Sequence, residues 1–328
     1  MRKLILRPIL YPLATGWLVA VCAGCGDARE GATHDQHANG DTKTSAAIFG
    51  GDYPIKVTCT TGMVADLVRH VGGDQVDVTQ LMREGVDPHL FQAEPADISA
   101  LNRADAIFYS GLHLEGKLVD IFSGMRRKKP TSAVAERIDE SRLLDVGAGL
   151  YDPHVWFDVE LWSVCISAVS DTLSKFDPPH ATDYQSRADL YRKELVALHE
   201  YCVSEMATIP EGQRVLVTAH DAFHYMGRAY GLDVKAIQGI STESEPGVKE
   251  INELVEFLTT NGIRAVFVES SVPDANMASL IEGCASRGHE LERGGVLFSD
   301  AMGELGTPEG TYVGMVRHNV ETIVQALR

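Results

Sequence analysis

Beyond residue 25 the 328-residue sequence has four cysteines, Cys59, Cys165, Cys202 and Cys284. They are widely spaced and form no Cys-x-x-Cys pair, which excludes a zinc finger or a dithiol redox motif and leaves buried thiols as the expectation. No P-loop is present, no Gly-x-Gly-x-x-Gly after a strand, and no Gly-x-Ser-x-Gly elbow, so nucleotide and serine-hydrolase chemistry have no motif to rest on. Basic residues are scarce: 29 Lys and Arg stand against 46 Asp and Glu, a formal net charge of −17. A surface that acidic argues against nucleic acid and suits an exported protein that handles cations. The apolar run from Ile9 to Val21 is too short to span a bilayer comfortably.

What is present at the start is a targeting pattern. Arg2, Lys3 and Arg7 precede that run, which leads into Val21-Cys22-Ala23-Gly24-Cys25. The stretch resembles a bacterial lipobox, with Cys22 where an aliphatic residue is usual, and implies lipidation of Cys25. The mature protein would then be exported and lipid-anchored to a bacterial membrane, periplasmic or at the cell surface. Removal of residues 1–24 takes three basic and no acidic residues and moves the net charge to −20. Asp27 to Gly51 is rich in Gly, Ala, Asp, Thr and Ser with no apolar period and reads as a flexible tether; His34 and His37 within it read as solvated.

From residue 52 onward, β-branched apolar runs alternate with helical periodicity. Strands are expected at Ile55–Thr60, Val76–Leu81, Ala106–Tyr109 and Thr131–Ala135, with helices at Met63–Val71, Pro95–Arg103 and Glu115–Met125. A second set of strands follows at Arg214–Thr218, Val234–Ile237, Ala265–Val268 and about Glu290–Leu297. Its helices are expected at Ala222–Tyr230, Val248–Asn261, Asp274–Arg287 and Tyr312–Leu327. Between the sets lie a helix at Val159–Lys175, a Pro178-Pro179 break, and a Gly- and Pro-free run from His180 to Thr208. That run is either one long strut or two helices kinked near Ala197. The pattern predicts an α/β fold of two Rossmann-like lobes with parallel four-stranded sheets, joined by one long rigid helix. The boundaries are 1–24 signal peptide, 25–51 tether, 52–178 first lobe, 179–209 connecting helix and 210–328 second lobe.

Ligands of open parallel sheets bind beyond the carboxyl ends of the strands. Asp87-Pro88-His89 follows the second strand and Asp152-Pro153-His154 lies beyond the fourth. Proline stiffens each loop, and the aspartate two residues before each histidine could accept a hydrogen bond from the ring nitrogen turned away from a metal. In the second lobe the strand Val215–Ala219 runs into His220, and Val296–Ser299 into Asp300. Three imidazoles and a carboxylate could close a four-coordinate site in the cleft between lobes. Glu243, Glu245 and Glu269 are candidates to line this cleft or orient ligands, with solvated or helix-capping acids the alternative for the first two; Asp87, Asp152 and Asp158 either support ligands or cap loops. A competing reading is a zinc-dependent hydrolase using His220 and His224, which have H-x-x-x-H spacing with Asp221 beside the first.

The segments Asp87–Phe91, Gly111–Glu115, Asp152–Asp158, Thr218–Phe223, Gly239–Pro246, Phe267–Glu269 and Phe298–Gly303 also resemble, in order, the solute-binding proteins of zinc and manganese ABC importers. The resemblance covers about residues 53–328. It implies a Zn²⁺ or Mn²⁺ ion, carried rather than used in catalysis, held by His89, His154, His220 and Asp300. It further implies a monomeric receptor, not an enzyme, delivering metal to a membrane permease driven by an ATPase. His113 and His224 depart from the family pattern and are either accessory ligands or incidental histidines. The absence of a long His-rich loop after His89 points toward the manganese or mixed branch.

Overall fold

The computed structural model describes residues 48–328. The signal peptide, Cys25, His34, His37 and nearly all of the tether lie outside the described residues. The first strands are β1 (Ile55–Cys59), β2 (Val76–Gln80), β3 (Ala106–Tyr109) and β4 (Thr131–Ala133). They form one parallel four-stranded sheet in the order β2-β1-β3-β4, with Ile55 opposite Val76 and Val57 opposite Ala106. Ile55, Val57 and Cys59 of the central strand are all buried, as expected where helices cover a parallel sheet. The crossovers are α1 (Gly62–Gly72), α2 (Pro95–Arg103) and α3 (Val119–Arg126). The Thr61 hydroxyl caps α1, and Pro95 opens α2, where its missing N–H costs nothing.

A short antiparallel hairpin follows, β5 (Asp145–Gly147) and β6 (Leu150–Tyr151). Then come α4 (Val159–Phe176) and α5 (Ala181–Met206). The 26-residue α5 is unbroken, so the strut is realised and the kink is not. Its length is about 39 Å at 1.5 Å per residue. Tyr184, Ala188, Tyr191, Leu195, Leu198, Cys202 and Met206 form its buried stripe, at steps of three and four. Arg187 on the same helix donates to the Val71 and Gly72 carbonyls, both at 2.8 Å, and so ties α5 to the end of α1.

The second half contains β7 (Val215–His220), α6 (His224–Tyr230), β8 (Asp233–Gln238), α7 (Val248–Asn261), β9 (Ala265–Glu269), α8 (Ala275–Ser286), β10 (Glu292–Leu297) and α9 (Tyr312–Leu327). Here the expected four-stranded sheet is laid out as two parallel pairs, β7 with β8 and β9 with β10. β7 and β9 run alongside each other without a shared ladder. Helix α6 begins at His224 rather than Ala222, because the chain turns tightly after the strand, with the Ala222 N–H donating to the His220 carbonyl at 3.0 Å.

The largest of three apolar clusters among the described residues runs from β1 through α4, α5 and α9 to Leu216 of β7. Asp66 of α1 knits the same elements together: it accepts from the Tyr191 hydroxyl of α5 at 2.5 Å and from the Tyr312 N–H at the start of α9 at 3.3 Å. The four cysteines are buried free thiols, as their spacing predicts.

Candidate metal centre

Four side chains meet at the carboxyl ends of the strands. His89 follows β2, His154 lies beyond β4, His220 closes β7 and Asp300 follows β10. One potential donor atom from each lies within 4.8 Å of the others, and all four residues are buried. His89, the least enclosed, is 6 % exposed, and His154 and His220 are 0 %. The His89 and His154 Nε2 atoms are 3.3 Å apart. From Asp300, one carboxylate oxygen lies 3.4 Å from the His154 Nε2, and the other 3.2 Å from the His220 Nε2 and 3.7 Å from the His89 Nε2.

These close approaches do not satisfy the groups involved. Among the described residues, both Asp300 oxygens and the His220 Nε2 are buried with no hydrogen-bond partner in good geometry. A buried polar atom left unpaired costs roughly 1–3 kcal/mol, more when charged. Three such atoms facing one another are what a cation-binding cavity requires, because no other protein group occupies them.

The surrounding carboxylates set the ring orientations. Asp152 accepts from both the backbone N–H of His154, at 2.9 Å, and its ring Nδ1, at 2.7 Å. Glu269, at the end of β9, does the same for His220, at 2.8 and 2.5 Å. A proton held on Nδ1 leaves the Nε2 lone pair pointing into the cluster, the tautomer a metal ligand needs. Asp87 differs: it accepts from the backbone N–H of His89 at 2.8 Å, while its other oxygen accepts from the Thr242 hydroxyl of the opposite half. The parallel expected from the repeated Asp-Pro-His tripeptide therefore holds for the backbone but not for the ring.

Charge follows from these contacts. Burial works against a protonated His154, but the Asp152 and Asp300 carboxylates outweigh it and raise its pKa to about 9. Burial likewise opposes charge on His220, and Glu269 and Asp300 override it, holding the ring well above the usual histidine range. His89 is pushed below that range by burial and by its two histidine neighbours, against the attraction of Asp300. Asp300 is held far below the ordinary carboxylate range, the imidazoles beside it outweighing the burial that would raise it.

Trp156 joins the two halves of the cluster. Its indole N–H donates to the Ser299 carbonyl at 3.1 Å, next to Asp300, and its ring stands edge-on to His154 at 5.3 Å. The Tyr312 hydroxyl holds the Trp156 carbonyl at 2.6 Å. Neither link was visible in the sequence, since the partners are 143 and 156 residues apart.

The other candidates fall outside the cluster. His224 opens α6 with its Nε2 2.8 Å from Asp221, half-exposed, so the H-x-x-x-H pair does not share a helix face with His220. His113 is exposed, at φ 65°. Asp158 caps α4 through the Leu161 N–H and pairs with Arg228, the loop-capping role. Glu245 meets Asn276 on the surface, and Glu243 pairs with Lys117 at 3.5 Å. A cavity of about 350 Å³ leads from His89 outward between Leu112, Leu150, Tyr151, Ile240 and Glu243.

The family model described as "ZnuA: Zinc-uptake complex component A periplasmic" matches residues 57–326. The chain belongs to the ZnuA family. Relatives within reach of this ZnuA-family chain include the manganese-binding lipoprotein MntA of Bacillus subtilis (strain 168), 46% identical over 286 residues, 87% of this chain and 94% of MntA. The zinc-binding protein TroA of Treponema pallidum (strain Nichols) is 46% identical over 274 residues, 84% of this chain and 89% of TroA. The solved structure of periplasmic TroA superposes with a TM-score of 0.82 at 45% identity, covering 84% of this chain and 99% of that one.

Proposed function

We propose that this protein is the extracytoplasmic receptor of a divalent transition-metal importer. It takes up zinc or manganese through His89, His154, His220 and Asp300 and delivers the ion to a membrane permease powered by an ATPase. The observation that carries the reading is the group of buried, unpartnered donor atoms on Asp300 and His220, with His154 and His220 fixed by carboxylates in the metal-binding tautomer. Relatives named for manganese or zinc binding at 46% identity support it. Three imidazoles and a carboxylate with no thiolate suit Zn²⁺, and zinc stands above manganese in the Irving–Williams order, so zinc binds more tightly in vitro. Physiological choice between them then rests on availability and on which complex the permease unloads.

Four protein ligands leave no open position for an activated water, which favours a carrier over a hydrolase. The placement of His224 on Asp221, away from the cluster, further weakens the hydrolase reading. In the same proposal the protein works as a monomer, divided at 52–178, 179–209 and 210–328, and is held to the membrane by a lipid on Cys25.

Calorimetry with zinc on six single variants tests the ligand set. His89→Ala, His154→Ala, His220→Ala and Asp300→Ala each lose most of the affinity while keeping the helical circular-dichroism signal, and His113→Ala and His224→Ala lose little. Abolition by His224→Ala with Asp300→Ala unchanged would overturn the assignment.

A further inference from the structure

The segment 239–247 joins β8 to α7 in the second half of the molecule, and part of it lines the cavity beside His89. Gln238, the last residue of β8 and the register partner of His220, is buried. Its side-chain amide donates to the Thr242 and Ser244 carbonyls, both at 2.9 Å, so the segment is pinned from behind to β8, the strand paired with the one that ends in His220. In front, the buried Thr242 hydroxyl donates to Asp87 in the first half. The other Asp87 oxygen holds the His89 backbone N–H at 2.8 Å. The walls of the cavity leading out from His89 include Ile240, Ser241 and Glu243 of this same segment.

The asymmetry among the three histidine supports is informative. Asp152 and Glu269 spend both of their contacts on a single histidine of their own half, ring and backbone together. Asp87 divides its contacts across the cleft, one oxygen to His89 and one to Thr242. Among these three carboxylates, Asp87 is the one whose support is shared between the halves. The Lys117–Glu243 pair bridges the same gap, but at 35% and 54% exposure it is an exposed ion pair of small worth.

Taking His89 as a ligand, as in the function proposed above, we infer that Thr242 is a positioning residue. The 239–247 strap latches onto Asp87, holds His89 toward the cluster, and so sets how fast metal leaves. Opening the cavity beside His89 requires the strap to move, and moving the strap breaks the Thr242–Asp87 bond, which frees the loop that carries His89. The ligands set how tightly a metal is held, and the latch sets how long it stays.

The test is dissociation of zinc from the full chain into excess chelator, followed by stopped flow. Thr242→Val, which keeps the branching and removes the donor, speeds release by about ten- to a hundred-fold, the range set by loss of a hydrogen bond to a charged group. Thr242→Ser, which keeps the hydroxyl, restores a rate near that of the wild type. Gln238→Leu, which loosens the strap from behind without touching Asp87, also speeds release. Stoichiometry stays at one zinc in all three. A Thr242→Val variant that melts like the wild type and releases zinc at the wild-type rate overturns the latch. If His89→Ala also binds and releases zinc normally, the receptor reading of His89 fails as well; loss of binding in His89→Ala with an unchanged Thr242→Val rate confines the failure to the latch.

Discussion

Glu269 offers the sharpest test of how the site is tuned, because it touches His220 twice and is not itself one of the four proposed ligands. Changing Glu269→Gln keeps the volume and removes the charge. The loss of a ring-orienting carboxylate lowers metal affinity by about 10–100-fold, or about 1.4–2.7 kcal/mol. A second effect opposes this. In the metal-free protein, Glu269 and Asp300 overcome burial and hold His220 well above its ordinary pKa, so near neutral pH zinc must displace a proton from it. Each unit by which that pKa exceeds the working pH costs binding about 1.36 kcal/mol. Without Glu269 the ring is less basic and the competition weaker.

The two effects have opposite pH dependence. Wild-type affinity climbs as pH rises toward about 9, where His154 also gives up its proton. The variant has less proton competition to lose and gains less from the same rise. Its deficit therefore widens as pH rises from about 6 toward about 9, through the range where these histidines begin to give up their protons. Chelator-competition titrations of both proteins across that range measure it. Equal affinities at the alkaline end, or a deficit that widens on acidification, would refute the account of Glu269 as both orienting partner and source of proton competition.

Two further outcomes follow from the same architecture. Because α5 is unbroken and shares one apolar core with both halves, small-angle scattering curves with and without zinc should nearly coincide, and a large compaction would contradict a rigid strut. If Cys25 is the lipidated residue, the wild-type protein sediments with membranes and Cys25→Ser appears in the soluble fraction or as an uncleaved precursor; a wild type found wholly soluble would dismiss the lipobox.

The positions of the four clustered side chains were legible because strand ends in a parallel sheet obey a topological rule, and a histidine or aspartate after an apolar run marks such an end. Asp152 was legible too, two residues from its histidine in a proline-stiffened loop. Glu269 could be named only as one of several cleft acids, since its partner His220 is 49 residues away and no local pattern links them. Asp87 shows the limit of reading by repetition: the tripeptide is the same, but the partner of its second oxygen comes from residue 242. The hairpin at Asp145–Tyr151 went unread because Gly147, Ala148 and Gly149, all at positive φ, carry turn composition and no alternation. His224 had ligand spacing in sequence, yet the helix that would have put it beside His220 begins only at His224 itself.

The four donors span residues 89 to 300, so most of the chain must be in place before any two halves of the cluster meet. In a nascent or extended polypeptide His89, His154 and His220 are isolated from one another, each a weak and transient ligand in water. If the chain is exported unfolded, this dispersal acts as a customs barrier: the protein could not carry cytosolic zinc out with it, because the proposed site would not exist until folding is finished on the far side. Loading would then be confined to the compartment from which the metal is gathered, and the distance between the proposed donors along the sequence would do the sorting without any added device.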